Sequence, residues 1–570
     1  MNLDEMIKSA LGEDQVDLLL TNANIVNVFS GEIIPGSIAV ANGYIVGFGS
    51  YPAKKVADMK GRFVAPGFID SHVHIESSMS SPTEFARSVL IHGTTTVAAD
   101  PHEIANVLGT EGINYMIDST KDQPVNFYFT LPSCVPATDM ETSGATLGAD
   151  DLLPFLNNNR IIALAEMMNF PGVIYRDNEV LSKIKSMKKH RKPVDGHAPG
   201  LTGRDLYAYI AAGISSDHEC TTAKEAKEKL NAGMHIMIRE GTGVKNLKDL
   251  IPIINRYTAR RVMWCTDDRH PNDIIKEGHI DFMVRRAVGM GLNPTIAIQI
   301  ATINPAEYFG LNNVGAIAPG RQADMVVFSD IKNPVIEEVY FRGKPAAREG
   351  KILPGIKKPA YLNIRSSMNV DMGKIDFSIP ALSRQARVIE IIPHQIVTDQ
   401  SLIQVAVSGN SAVSDIKHDI LKIVVVERHK GTGNTGKGFV RGFGLKQGAL
   451  ASSVAHDSHN IIIVGTNDED MKTALEAVVK MGGGLVASNN GEVLSALPLP
   501  IAGLMSIEPV KTVKEKLDEL ISVTQAFGTS LSDPFMTLSF LALPVIPELK
   551  ITDKGLVDVS KFKIVPLFAS

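Results

Sequence analysis

The chain has 570 residues, more than one hydrophobic core fills, so several domains are expected. Apolar residues make up 44% and charged residues 21%, an ordinary globular balance that excludes collagen, coiled coil and wholesale disorder. The formal net charge is −5, and without a basic block this speaks against nucleic acid as a partner.

The chain opens with MNLDEMIKSALGEDQ, which is charged and lacks the apolar stretch of a signal peptide. No later apolar run reaches membrane-spanning length. Three cysteines, Cys134, Cys220 and Cys265, are too few for a disulfide framework and fit a reducing compartment. A cytoplasmic protein without a membrane partner is expected; the sequence leaves a homo-oligomer open.

From Asp17 to about Val64, short runs such as DLLLTNANIVNV and GSIAVANGYIVGFG alternate apolar and polar residues between Gly and Asn, the pattern of short antiparallel strands. A like pattern returns from Gly315 to about Lys351, so the two flanks are read as one small β-sandwich. Between them come eight strand candidates: FVAPGFIDSHVHI, TTTVAADPH, VNFYFTLPS, IIALAEMMN, KPVDGHAPG, GISSDHE, HIMIREG and RVMWCTDD. Helical spacers such as SPTEFARSVLIHG separate several of them. Eight strand–helix units over roughly 250 residues have the size of a TIM-type barrel. Spacing alone also admits an open parallel sheet. Beyond Asn369, apolar strands (LKIVVVE, NIIIVGTN) mix with helices (DMKTALEAVVKMGG, VKTVKEKLDELISVTQAFG). The expected fold is α/β: residues 1–64 and 314–368 form the sandwich, 65–313 a (β/α)8 barrel, and 369–570 a C-terminal α/β domain.

What ends each strand decides for the barrel, because active sites of that fold gather at the C-terminal strand ends. The first candidate ends in His72 and His74, two apart and so on one face. The fourth ends in Glu166, the fifth in His197, the sixth in His218, the eighth in Asp267 and Asp268. A lone His-x-His is a weak signal; imidazoles and carboxylates converging on one rim are a strong one. Asp100, His102 and Glu103 end the second strand, either as a ligand, proton relay or substrate contact, or as supports for the strand-one histidines. Glu76, Ser77 and Ser78 should line the mouth. Arg239, Glu240 and Arg269 are candidates for substrate contact or for rim salt bridges. If the last strand persists, Asp268 points away from Asp267. His456, Asp457 and His459 form a further polar cluster, expected to be a local loop network, with a lid over the mouth as the alternative. Gly431 to Lys437 satisfies Gly-x4-Gly-Lys, but Gly438 follows where a phosphate loop needs Ser or Thr; a flexible loop is expected.

The run Pro66-Gly67-Phe68-Ile69-Asp70-Ser71-His72-Val73-His74 resembles the signature of the amidohydrolase superfamily, and Ile317 to Val326 resembles its return into the sandwich. Finer motifs, SSMSSPTEFARSVLIHGTTTVAADPHEIANVLG, ALAEMMN, DGHAPGL, SSDHE, CTDDRHP, AHDSHN and GGGLVASNNGEV, are similar to the bacterial adenine deaminase family within it. That resemblance implies two divalent metal ions: His72, His74 and Asp267 on one, His197 and His218 on the other, and Glu166 bridging, since ALAEMMN offers no lysine. Imidazole with carboxylate suits Mn, Fe or Zn better than Mg or Ca; the resemblance implies manganese or iron ahead of zinc. It further implies that adenine and water give hypoxanthine and ammonia by attack of metal-bound hydroxide on C6. Asp267 would be general base and then acid, with Glu166, Asp268 and Glu240 as the alternatives for serving the ring nitrogens. The same scaffold would also carry a cyclic-amide hydrolase, an N-acetyl-sugar deacetylase or a non-catalytic barrel.

Overall fold

The computed structural model describes residues 2–355, 361–393 and 395–569; residues 356–360 of the 314–368 segment lie outside this range. The eight strand candidates all form parallel strands: β1 (Phe68–Val73), β2 (Thr94–Ala99), β3 (Asn126–Leu131), β4 (Ile161–Met167), β5 (Val194–Gly196), β6 (Ser216–Asp217), β7 (His235–Arg239) and β8 (Val262–Cys265). Strands β1 to β5 pair in order, as do β6 to β8. Two parallel bridges close the ring: Val194 with Ile214 joins β5 to the approach of β6, and Val73 with Asp267 joins β1 to the end of β8. The eight-stranded barrel follows from those contacts. Strand burial is complete along β1, β2 and β4, as expected when helices cover one face and the barrel interior the other.

The two flanks come together in one continuously hydrogen-bonded sheet of nine strands. Its central contact sets Phe63–Pro66 against Met325–Phe328 antiparallel and against Asn24 and Ile25 in parallel. The first strand candidate is therefore split: Phe63–Pro66 belongs to this sheet and Phe68–Val73 to the barrel. Gly67 is the joint. A Cβ there would lie 2.1 Å from Thr95 Oγ1, so only glycine lets the chain pass this close to β2.

The C-terminal region is sheet-rich, with eight mostly antiparallel strands from Gln385–Ile391 to Glu492–Pro498 and a three-stranded sheet over 549–565. In Ile420–Val426 the run is apolar throughout because both faces are covered. Leu421, Ile423 and Val425 pack toward the helix Val510–Ala526, while Val424 and Val426 pack toward the helix Asp468–Lys480. Thr435–Arg441 is a strand with no helix after it. The Gly-x4-Gly-Lys segment is thus half strand, not a flexible loop throughout, and lacks the helix N-terminus on which a phosphate loop depends. Among the described residues no helix is long and apolar enough to cross a membrane.

Candidate functional site

The barrel's C-terminal rim brings His72, His74, Glu166, His197, His218 and Asp267 together. β1 delivers His72 and His74, whose Nε2 atoms stand 3.1 Å apart. Glu166 is the penultimate residue of β4, and its two carboxylate oxygens serve different partners. Oε1 lies 3.7 Å from His72 Nε2 and 3.3 Å from His74 Nε2. Oε2 lies 2.5 Å from His197 Nδ1 and 3.2 Å from His218 Nε2. Asp267 Oδ1 adds contacts of 3.5 and 3.1 Å to His72 and His74.

The local sequence explains why these side chains converge. Buried Asp70 accepts hydrogen bonds from His72 N–H (3.2 Å) and from Thr266 N–H (3.1 Å) and Oγ1 (2.5 Å), tying the ends of β1 and β8 together. β8 stops at Cys265, and Asp267 takes a left-handed backbone, φ 56°, which Asp tolerates better than most residues. Strand alternation therefore does not carry Asp268 away. It lies within ligand reach of His74 and Asp267 and is held by Ser77 Oγ at 2.5 Å. On the far side, Lys229, buried, donates to Asp217 and to Ala198 O (2.7 Å), fixing the His197 and His218 loops at once.

The donor set fits divalent metal. His218 Nε2 is buried and, among the described residues, has no hydrogen-bond partner, its approach to Glu166 lacking the geometry of one. His74 turns its other nitrogen to the Asp100 carbonyl at 3.3 Å, the outer contact that orients metal-binding imidazoles. Burial pushes the Glu166 carboxyl up, but His197, His218 and His74 overcome it and hold it well below the usual range. Burial likewise pulls His218 down, yet Glu166, Asp267 and Glu219 raise it to about 9. Metal uptake by such groups is coupled to proton release.

The remaining expectations divide. Asp100 supports its neighbours: its carboxylate takes His102 N–H (3.0 Å) and faces His102 Nδ1 (3.0 Å). His102 itself reaches Glu166 Oε1 at 3.6 Å and lines the cavity, so His74, Asp100, His102 and Glu166 form a second set within ligand reach. Glu76 and Ser78 turn inward, toward Ile104 N–H and Ile75 O, and Ser77 reaches the cavity only through Asp268. Glu240 and Arg269 are drawn off into structure: Glu240 binds Arg286 and Leu247 N–H, and Arg269 binds Gly278 O, Glu240 O and Glu277. Both lie outside the cavity lining. Arg239 does line it, bonded to Asp267 Oδ2 at 2.7 Å and to Glu219 through both guanidinium arms.

The local-network expectation for His456 and His459 is overturned. Both reach across to the barrel, His456 Nδ1 to Glu103 Oε1 at 2.6 Å and His459 Nε2 to Glu103 Oε2. Asp457 and Phe540 complete this wall of the cavity, Phe540 stacked on His456 at 4.9 Å. Sequence reasoning also passed over Glu219, which sits 3.6 Å from both His197 and His218; its place next to His218 was the available signal.

An eight-stranded barrel with this rim defines a metal-dependent hydrolase of the amidohydrolase type, and residues 63–373 match the amidohydrolase family. Residues 395–563 match the adenine deaminase C-terminal domain. The chain is 56% identical over 565 residues to an adenine deaminase of Desulfatibacillum aliphaticivorans, covering 99% of each. It is 50% identical over 570 residues to one of Methanothrix thermoacetophila, covering 100% of each. A crystal structure of enamidase, also an amidohydrolase, aligns at 18% identity with a TM-score of 0.45, covering 57% of this chain and 95% of that one. The chain belongs to the adenine deaminase family of amidohydrolases.

Proposed function

We propose that the chain is a hydrolase of C–N bonds in cyclic amidines that converts adenine and water to hypoxanthine and ammonia. The observation that carries this beyond family membership is Glu166, whose two oxygens are shared between two separate imidazole pairs. In this reading His72, His74 and Asp267 would hold one divalent ion and His197 and His218 a second, with Glu166 within reach of both and manganese or iron ahead of zinc. Such ions, when bound, lower the pKa of water toward about 7.

The chain's own groups do the rest. Asp267 accepts the proton of the attacking water and returns it to the departing amine, the task of a general base and then acid. Arg239 bonds its other oxygen and Glu219 secures Arg239, so Asp267 meets the reacting centre in one orientation. Phe540, Leu543 and Ile546 give the cavity an apolar wall on the C-terminal side, suited to a flat base and to keeping bulk water out. The reading includes a small-molecule substrate, no nucleic acid, and a cytoplasmic setting. It also assigns residues 65–313 to catalysis and 369–570 to closing the site. A purine panel followed by ultraviolet absorbance, with ammonia release and metal analysis, tests it. Adenine turnover with about two divalent ions per chain is expected; no adenine turnover by metal-replete protein would overturn it, and under one ion per chain in active enzyme would overturn the two-metal form.

A further inference from the structure

The loop between the strands Ala449–Ser452 and Ile461–Gly465 is fixed on every side. His456 and His459 grip the two oxygens of Glu103. Ser458 O accepts from His429 Nε2 at 2.7 Å, His459 O from Arg428, and Asn460 donates to Thr142 O at 2.8 Å. The grip on Glu103 is direct rather than through an ion: Ala455 N–H donates to His459 Nδ1 at 3.1 Å, so the proton of the neutral ring sits on Nε2, pointing at the carboxylate.

Two buried polar atoms of this loop, Asp457 Oδ2 and Ser458 Oγ, have no hydrogen-bond partner among the described residues, and of the two residues Asp457 lines the cavity. Asp457 is 4% exposed and lines the cavity beside His102 and Glu166, yet its Oδ2 is buried with no hydrogen-bond partner among the described residues. Leaving a buried carboxylate oxygen unpaired is destabilising, and a loop with this many anchors holds it there regardless. His102 and His456 face this carboxylate as cations and Glu103 and Glu166 as anions, but among the described residues none of them bonds its Oδ2. Its Oδ2 is an acceptor open to a donor that enters the cavity.

We propose that Asp457, supplied by the C-terminal domain, is a substrate-binding residue whose free oxygen accepts a hydrogen bond from an N–H of the purine. Adenine offers such donors on its amino group and on its imidazole ring. The Glu103 clamp is then the device that sets this carboxylate into a site otherwise built by the barrel. The inference rests on the adenine reading, and the two fail separately: absence of adenine turnover by the metal-replete wild type tells against that reading, whereas the variants below test Asp457 only where wild type is active.

The experiment compares Asp457→Asn and Asp457→Ala with wild type in the metal-replete full-length enzyme. It measures kcat and KM for adenine, hypoxanthine binding by calorimetry, metal content and melting temperature. Expected are unchanged metal content, a melting temperature equal to or above wild type, a KM raised at least tenfold for Ala and less for Asn, and weaker hypoxanthine binding. A structural role would instead lower the melting temperature and leave KM in place. KM and hypoxanthine affinity within twofold of wild type for both variants would overturn the proposal, as would a loss of melting temperature with unaltered binding. If Ala fails to fold, the isosteric Asn variant decides by the same binding criteria.

Discussion

Replacing Asp267 by Asn tests the assignment of the proton acceptor most directly. The two carboxylate oxygens do different work: Oδ1 stands 3.1 Å from His74 Nε2 and 3.5 Å from His72 Nε2, while Oδ2 accepts from Arg239 at 2.7 Å. An amide has one oxygen. If it faces Arg239, the NH2 faces the imidazoles and their ion; if it faces the ion, the NH2 meets the guanidinium, donor against donor. Either choice forfeits a charge-assisted bond of about 1.5–3 kcal/mol, and some metal affinity with it. Loss of the base itself costs about a hundred- to ten-thousand-fold in rate. Turnover of adenine by Asp267→Asn should therefore fall at least about a hundredfold, beyond what its metal content explains. Asp268→Asn keeps the oxygen that Ser77 bonds, and its effect on the chemical step should stay under about tenfold. Ultraviolet turnover normalised to bound metal decides. An Asp267→Asn enzyme near wild-type rate beside an inactive Asp268→Asn enzyme would refute the assignment.

Lys229→Met should destabilise by about 3–5 kcal/mol, because it strands the buried Asp217 carboxylate without its cation; calorimetry and metal analysis should show a lower melting temperature and metal lost from the His197 and His218 side. Lys550 donates to Ile396 O at 2.8 Å and Phe540 O at 3.0 Å, and burial depresses its ammonium from 10.5 to about 7. Between those values the unfolded chain holds a proton the folded one lacks, so this group's contribution rises with pH, by at most about 1.4 kcal/mol per unit, and is lost as pH falls toward 7. The melting temperature of wild type minus that of Lys550→Met should climb from pH 7 to 10; a flat difference would remove the buried-ammonium account. Deleting residues 369–570 removes Asp457, Phe540 and the other C-terminal parts of the cavity wall, and should abolish adenine turnover or folding; a folded truncation with full activity would contradict the closing role.

Much of the barrel is legible because its signals are local. Most strands announce themselves by an apolar run, and the rim residues lie in the last positions of a strand or just after it, as Glu166 does within β4 and His218 directly after β6. The orientation of Asp268 hangs on a local feature as well. Alternation would point it away from Asp267 had the strand run on, but the strand ends at Cys265 and the chain turns left-handed at Asp267, and no alternation rule survives that turn. Glu240 and Arg269 show the opposite problem: their position at a strand end is right, and what removes them from the cavity is competition from Arg286, Glu277 and Gly278, partners that periodicity does not rank.

The C-terminal wall could not be read this way, since the decisive contact spans the chain. Glu103 and His456 are 353 positions apart, Glu103 and His459 356. Local pattern showed three polar residues in a loop, and a loop network is the commoner fate of such residues. What the fold adds is a cause for their conjunction. The turn that begins at β2 presents one carboxylate with two oxygens; the loop after Ala449–Ser452 presents two imidazoles three residues apart. Joining them docks a separately folded sheet onto the barrel mouth and leaves Asp457, between the two, facing inward. A domain held only by apolar packing could slide by an ångström or more. One held by a buried, directional pair of hydrogen bonds next to His102 cannot do so without breaking them, so the barrel's own second strand sets the geometry of the wall that closes it.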